Sequence, residues 1–189
     1  MDVEDCAISD FELNTVIVSI LIAFALSEIL SSWGRIVQSR DRVVRPGLYL
    51  AGSGWIFLSL ILHWLGVSVF RDLEFERIYQ SLLFFFPSIL AAAAAFILTP
   101  TLPEDGRIDL EEHYFSVAPW AFGCAAAYTT IAYVSDFLVP GEQTTPALIS
   151  LTLTTGLLVL ATTKRPKLHG LVLSVLGAIL LTSVVFGTR

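Results

Sequence analysis

The chain has 189 residues, 55% of them hydrophobic and 15% charged, with a mean hydropathy of +0.76 and a formal net charge of −6. Eleven Lys+Arg against 17 Asp+Glu leave no basic surface to neutralise phosphates, so a nucleic-acid binder of ordinary kind is excluded. Disorder is excluded too, because side chains this apolar must be buried in lipid or in one another, and the composition is that of an integral membrane protein whose first partner is the lipid bilayer.

A helix needs about 20 apolar residues to cross roughly 30 Å of hydrocarbon. Six stretches meet or approach that length: Leu13 to Trp33, Gly47 to Phe70, Ile78 to Thr99, Val117 to Val139, Pro146 to Thr162 and Gly170 to Gly187. The leading MDVEDCAISD holds four acids and no base, unlike the basic start of a cleavable signal peptide, so the first helix is expected to stay in the mature protein. Ser9-Asp10-Phe11-Glu12 reads as a capping box before that helix, and Asp109-Leu110-Glu111-Glu112 repeats the pattern, so the fourth helix is expected to start on the membrane surface, ahead of its apolar part. Pro87 and Pro119 each remove one backbone hydrogen bond and are expected to bend their helices. Cys6 and Cys124 are too few and too differently placed for a disulfide framework or a metal cluster.

Lys and Arg assign the sides. With the N-terminus outside, the inner loops hold eight bases (Arg35, Arg40, Arg42, Arg45, Arg107, Lys164, Arg165, Lys167) and the outer segments three (Arg71, Arg77, Arg189). This positive-inside bias, with six crossings, predicts both termini outside. The two three-helix halves then run in opposite senses, as in inverted-repeat transporters. Their sequence echo is slight: Ser27-Glu28-Ile29-Leu30 against Ser135-Asp136-Phe137-Leu138.

Ionisable groups within the bilayer are costly, which makes each a candidate for function. Glu28 falls roughly 7 Å above the inner end of helix one, with Ser31, Ser32 and Arg35 continuing a polar stripe toward the cytoplasm. It is either a carboxylate tied to Arg35 or a proton or cation acceptor at the mouth of a pathway. His63, with Ser59 one turn away, either donates to a neighbouring helix or handles a proton or metal. Thr129, Tyr133 and Asp136 share a face of helix four at a depth close to that of His63. A contact between His63 and Asp136 would favour the imidazolium.

Several chemistries lack their residues. Both lysines, Lys164 and Lys167, lie in a loop, which excludes retinal, and His113 and His169 lie at the inner side while His63 lies near the outer face, so no histidine pair spans a haem. There is no phosphate loop, ion-selectivity filter or metal-ligand spacing; no cofactor and no metal are expected. Gly47 with Ala51 and Gly170 with Ser174 predict close helix contacts. Thr152, Thr154, Thr155 and Thr162 either bond back to their own helix carbonyls, the reading favoured here, or line a hydroxyl path.

The string DLEEHYFSVAPW, together with LSEILSSWGRIV in helix one, resembles a group of small bacterial multipass membrane proteins in which a Leu-x-Glu-His-Tyr-Phe run enters a later helix. The resemblance covers about Phe11 to Val139 and implies an inner-membrane location, without an activity. Tyr114, Phe115 and Trp120 suit an interfacial belt, with Glu111, Glu112 and His113 facing water. The first inner loop, with Arg40 and Arg42, is net positive and the second, with Glu111 and Glu112, net negative, which suggests a clamp.

The fold expected is therefore all-α, one domain over residues 1–189, a bundle of six transmembrane helices. Two functions stay open: movement of protons or a small solute through a seam of Glu28, Ser59, His63, Thr129, Tyr133 and Asp136, or a non-transporting structural, sensory or assembly role through the inner loops. An enzyme is disfavoured because no nucleophile and base are paired in sequence. Self-association and the identity of any protein partner are left open.

Overall fold

The computed structural model describes residues 10–67, 78–101, 106–138 and 147–186. Ser9, Cys6, Glu104, Asp105 and the bases Arg71, Arg77 and Arg189 lie outside them. The described chain forms six helices: α1 (Asp10–Gln38), α2 (Gly47–Val67), α3 (Ile78–Leu98), α4 (Leu110–Leu138), α5 (Ala147–Thr162) and α6 (Pro166–Phe186). Two short strands, β1 (Val43–Val44) and β2 (Ile108–Asp109), lie in the α1–α2 and α3–α4 connections.

Continuous apolar runs favour helices here, because in lipid every backbone N–H and C=O must be satisfied within its own segment. Four helices, α1 to α4, are long and apolar enough to cross a membrane; α5 and the apolar part of α6 are shorter. Exposed Phe24, Phe96, Trp120, Leu148 and Leu171 make the outer surface apolar, as lipid contact requires. Pro87 and Pro119 both lie inside continuous helices. The fourth helix starts at Leu110, seven residues ahead of the apolar stretch at Val117, as its capping sequence predicts.

Among the described residues α3 packs most extensively on α4, and both bury alanines: Ala91, Ala92, Ala94 and Ala95 on one, Ala118, Ala121, Ala125 and Ala126 on the other. Small side chains let helix backbones approach closely where lipid supplies no hydrophobic drive. Helix α4 also packs on α5, α1 on α2 and α3, and α2 on α3, α4 and α6. The extensive α1–α3 contact has no counterpart of similar extent between α4 and α6, so the packing lends no support to an inverted repeat.

Two features fix one end of the bundle. Strands β1 and β2 pair in parallel, Val43 opposite Ile108 and Val44 opposite Asp109, which joins the α1–α2 and α3–α4 connections. A hydrogen bond from Tyr114 at the start of α4 to His169 at the start of α6 brings the α5–α6 turn to that same end. The bases at 35, 40, 42, 45, 107, 164, 165 and 167 thus gather at one end, called here the basic end.

The close helix contacts differ from those expected. A Cβ at Gly47 or Gly170 meets nothing within 4 Å, whereas one at Gly52 falls 2.9 Å from the Tyr114 ring and 3.3 Å from Phe122, and one at Gly156 falls 2.8 Å from Leu176. Spacing to a second small residue marked the wrong glycines, because Gly47 and Gly170 lie at helix starts, outside the close-packed layers. Gly52→Ala should lower the stability of the detergent-solubilised protein by about 1–3 kcal/mol through overpacking against a fixed ring, while Gly47→Ala should leave thermal unfolding unchanged. Equal melting of the two variants would show that α2 and α4 are not in close contact.

Candidate functional site

The basic end is organised around Asp109. As the residue before α4 it receives the backbone N–H groups of Glu111 (3.0 Å) and Glu112 (3.3 Å) on Oδ1, satisfying two of the helix's unpaired donors. Its Oδ2 accepts from the Arg45 guanidinium, which also lies 4.0 Å from Glu111. Desolvation opposes the charge on Asp109, but the Glu112 amide, the Arg45 guanidinium and the Glu111 amide outweigh it and hold the carboxyl below its ordinary value. Because the folded carboxyl is depressed, this contribution is complete above the ordinary carboxylate range and is lost as acid protonates Asp109.

Arg45 adopts the left-handed backbone conformation, with φ of +49°, between β1 and Pro46. A non-glycine residue there is uncommon, and here the conformation turns the chain from β1 into α2, whose first hydrogen bond runs from Leu50 N to the Pro46 carbonyl (2.9 Å). The two loops do meet, through Arg45 together with the expected Glu111. Arg40 lies 3.9 Å from its own neighbour Asp41, and Arg42 bonds Ser39 Oγ at 3.2 Å. Arg45 lies between the loops. Glu111 meets it, while Glu112 contributes its amide to Asp109. Counting charge per loop found the attraction; it could not show that the left-handed turn aims Arg45 at the second loop.

Beneath the clamp, polar side chains are paired across helices. Ser32 and Tyr49 share a hydrogen bond of 2.7 Å, and Trp33 Nε1 donates to Ser53 Oγ at 2.9 Å, tying α1 to α2. His113 Nε2 donates to the Leu98 carbonyl (3.0 Å), satisfying an acceptor left unpaired at the end of α3. Tyr114 and His169 are fully buried. His169 Nε2 lies 3.0 Å from the Thr163 carbonyl, which can only accept, so Nε2 carries the proton and a neutral Nδ1 accepts from the Tyr114 hydroxyl at 2.9 Å.

These positions correct the expected interfacial belt. Of its three aromatic residues only Trp120 is exposed; Tyr114 is in the core and Phe115 is half-buried against the His169 ring, 5.0 Å between centroids. His113, expected to face water, is half-buried on α4 against the end of α3. Tyr114→Phe keeps the ring and strands Nδ1 of His169, so it should cost about 1–3 kcal/mol. Because His169→Phe also breaks the bond to Thr163, the double variant Tyr114→Phe with His169→Phe should lose less in chemical denaturation than the sum of the two single variants. Additive losses would mean that the hydrogen bond is not what the pair contributes.

The intramembrane candidates do not converge. Glu28 accepts from Arg35 at 3.1 Å, two turns along the same helix, with side-chain exposures of 35% and 42%, so the pair lies on the flank of the bundle. It lies about 15 Å from the basic end of α1, whereas His63 lies about 24 Å from the same end of α2. His63 Nε2 bonds Ser88 Oγ on α3 at 2.8 Å, and its ring meets Tyr128 of α4 edge-on at 5.3 Å. Asp136 belongs to α4, but its side chain lies outside the described residues; Tyr128, which meets His63, is eight residues nearer the basic end, about 12 Å along the helix.

Ser59 bonds back to the Trp55 carbonyl at 2.9 Å. Thr129 bonds back to Ala126 at 2.9 Å and across to Thr154 of α5 at 2.9 Å, so that face of α4 meets α5. Tyr133 is half-buried on α4. Thr152 and Thr162 bond back to Leu148 and Leu158 as expected, whereas Thr154 reaches the neighbouring helix. Ser88 and Tyr128 carried no sequence signal, because a serine beside a proline and a tyrosine in an apolar run look like ordinary packing. Among the described residues no three His, Cys, Asp or Glu side chains gather to hold a metal.

Comparison of the chain with protein-family models, with curated proteins and with solved structures finds no match.

Proposed function

We propose that this integral membrane protein crosses the bilayer six times with both termini outside, in a bacterial inner membrane, and acts as a non-transporting assembly or sensory subunit through its basic end, which faces the cytoplasm. The observation that carries the reading is the Arg45–Asp109 pair, which holds two loops in one fixed surface instead of leaving them as independent connections. The buried hydrogen bonds beneath it and the alanine-lined α3–α4 contact support a bundle packed shut behind that surface. Eight bases at one end support the orientation. Helix α5, with 16 residues, is about 24 Å long, a mismatch that local thinning of the bilayer accommodates at modest cost.

A second reading, movement of protons or a small solute, is favoured by one observation: His63, Ser88 and Tyr128 meet at one depth from three different helices. Glu28 and Thr129 have their own partners elsewhere, so a pathway through them requires a rearranged bundle. Liposomes containing the protein and a pH-sensitive dye separate the readings. The proposal predicts proton flux equal to that of protein-free liposomes under gradients of either sign; flux that His63→Ala or Glu28→Gln removes would establish transport.

The orientation is tested with cysteine labelling. In a chain carrying Cys6→Ser and Cys124→Ala, an impermeant maleimide should label Lys164→Cys only after the cytoplasmic face is opened. Labelling in intact cells would invert the assignment of sides.

A further inference from the structure

We propose that the basic end holds a binding site for one anionic phospholipid, in a recess between the end of α1 and the β1–Pro46 segment. The recess has a volume of about 210 Å³ and is lined by Ile36, Val37, Val43, Pro46 and Arg40. Four of these five side chains are apolar. A cavity of that character offers nothing to a free phosphate, but it accepts part of an acyl chain beside a single cation placed for a headgroup.

Position in the membrane supports the assignment. Helix α1 has 29 residues and is about 43 Å long, longer than the roughly 30 Å hydrocarbon layer. The helix is longer than that layer, and the charged Glu28–Arg35 pair with the bases that follow it sets its last turn at the boundary between acyl chains and headgroups. Val37, in that last turn, is nonetheless 70% exposed, an apolar wall in a place where water alone would be a poor neighbour. The Arg40 side chain is 83% exposed, and its ion pair with Asp41 is 3.9 Å long with Asp41 itself almost fully exposed. So open a pair is weak and screened, leaving the guanidinium available to a phosphate diester.

The neighbouring bases have other engagements: Arg42 bonds Ser39, Arg35 bonds Glu28, and Arg45 is held by Asp109. The preference for an anionic headgroup over a zwitterionic one therefore rests on Arg40. The inference is independent of whether the bundle transports anything.

The test is native mass spectrometry of the full chain released from nanodiscs of equimolar phosphatidylglycerol and phosphatidylcholine. The parent protein should retain phosphatidylglycerol in preference to phosphatidylcholine. Arg40→Ala, at an exposed position where thermal unfolding should not change, should lower that preference about fivefold, the effect of one base near an anionic surface. Lys164→Ala, which removes an exposed base at the same end but in the α5–α6 turn, outside the recess lining, should leave it intact, and millimolar inorganic phosphate should not displace the lipid. Equal retention of the two lipids by the parent, an unchanged preference in Arg40→Ala, an equal loss in Lys164→Ala, or displacement by phosphate would each overturn the proposal.

Discussion

A single carboxylate connects the parts of this molecule that lipid alone would not hold in register. Asp109 caps α4, pairs with Arg45 across the loop and lies in the strand register that sets β1 against β2. The bilayer drives apolar helices into its interior but is indifferent to which flank of one faces which flank of another. That choice has to come from directional groups, and among the described residues several of these cluster at the basic end. Fixing Arg45 to Asp109 sets the start of α2 relative to the start of α4, the two helices that meet at Gly52 and Tyr114.

From there the polar pairs follow the same logic at greater depth. Ser32 with Tyr49, Tyr114 with His169 and His63 with Ser88 each join two helices through one hydrogen bond in an apolar setting. An unmade bond costs more there than a made one contributes, so such pairs act mainly against wrong packings. This is also why these six residues are poor evidence for a pathway: they are consumed in pairs, whereas Thr15 Oγ1 and Trp55 Nε1 are buried without a hydrogen-bond partner. The charged pair Glu28–Arg35 is the exception in kind, being intrahelical and half-exposed, and it resembles a snorkelling arrangement that keeps two charges near the polar boundary.

The long apolar stretches were legible from the sequence because hydrophobic length has one physical meaning in a bilayer. The cap at Asp109 and the attraction between the loops were legible as well, since both depend on local sequence and summed charge. Partner identity was not. Arg40, Arg42 and Arg45 are equivalent to a charge count, and only the left-handed turn at Arg45 distinguishes them. Tyr114 reads as interfacial beside Glu112 and His113, yet its helical phase turns it toward α2 and α6, where His169 waits. Gly52 is a close-contact position without a small residue four places away, between Leu48 and Ile56, so a pairwise motif passes over it.

If the strand pair clamps the loops as described, Val43→Cys and Ile108→Cys should place two Cα atoms about 4.8 Å apart, inside the range a disulfide accepts. The measurement is oxidative cross-linking in native membranes, in a chain lacking Cys6 and Cys124 and carrying a protease site between α2 and α3. The two fragments should remain joined after cleavage, and adding Arg45→Ala should slow the cross-link. Fragments that separate, or that join equally well when Arg40→Cys replaces Val43→Cys, would show that the two loops are not held in this register.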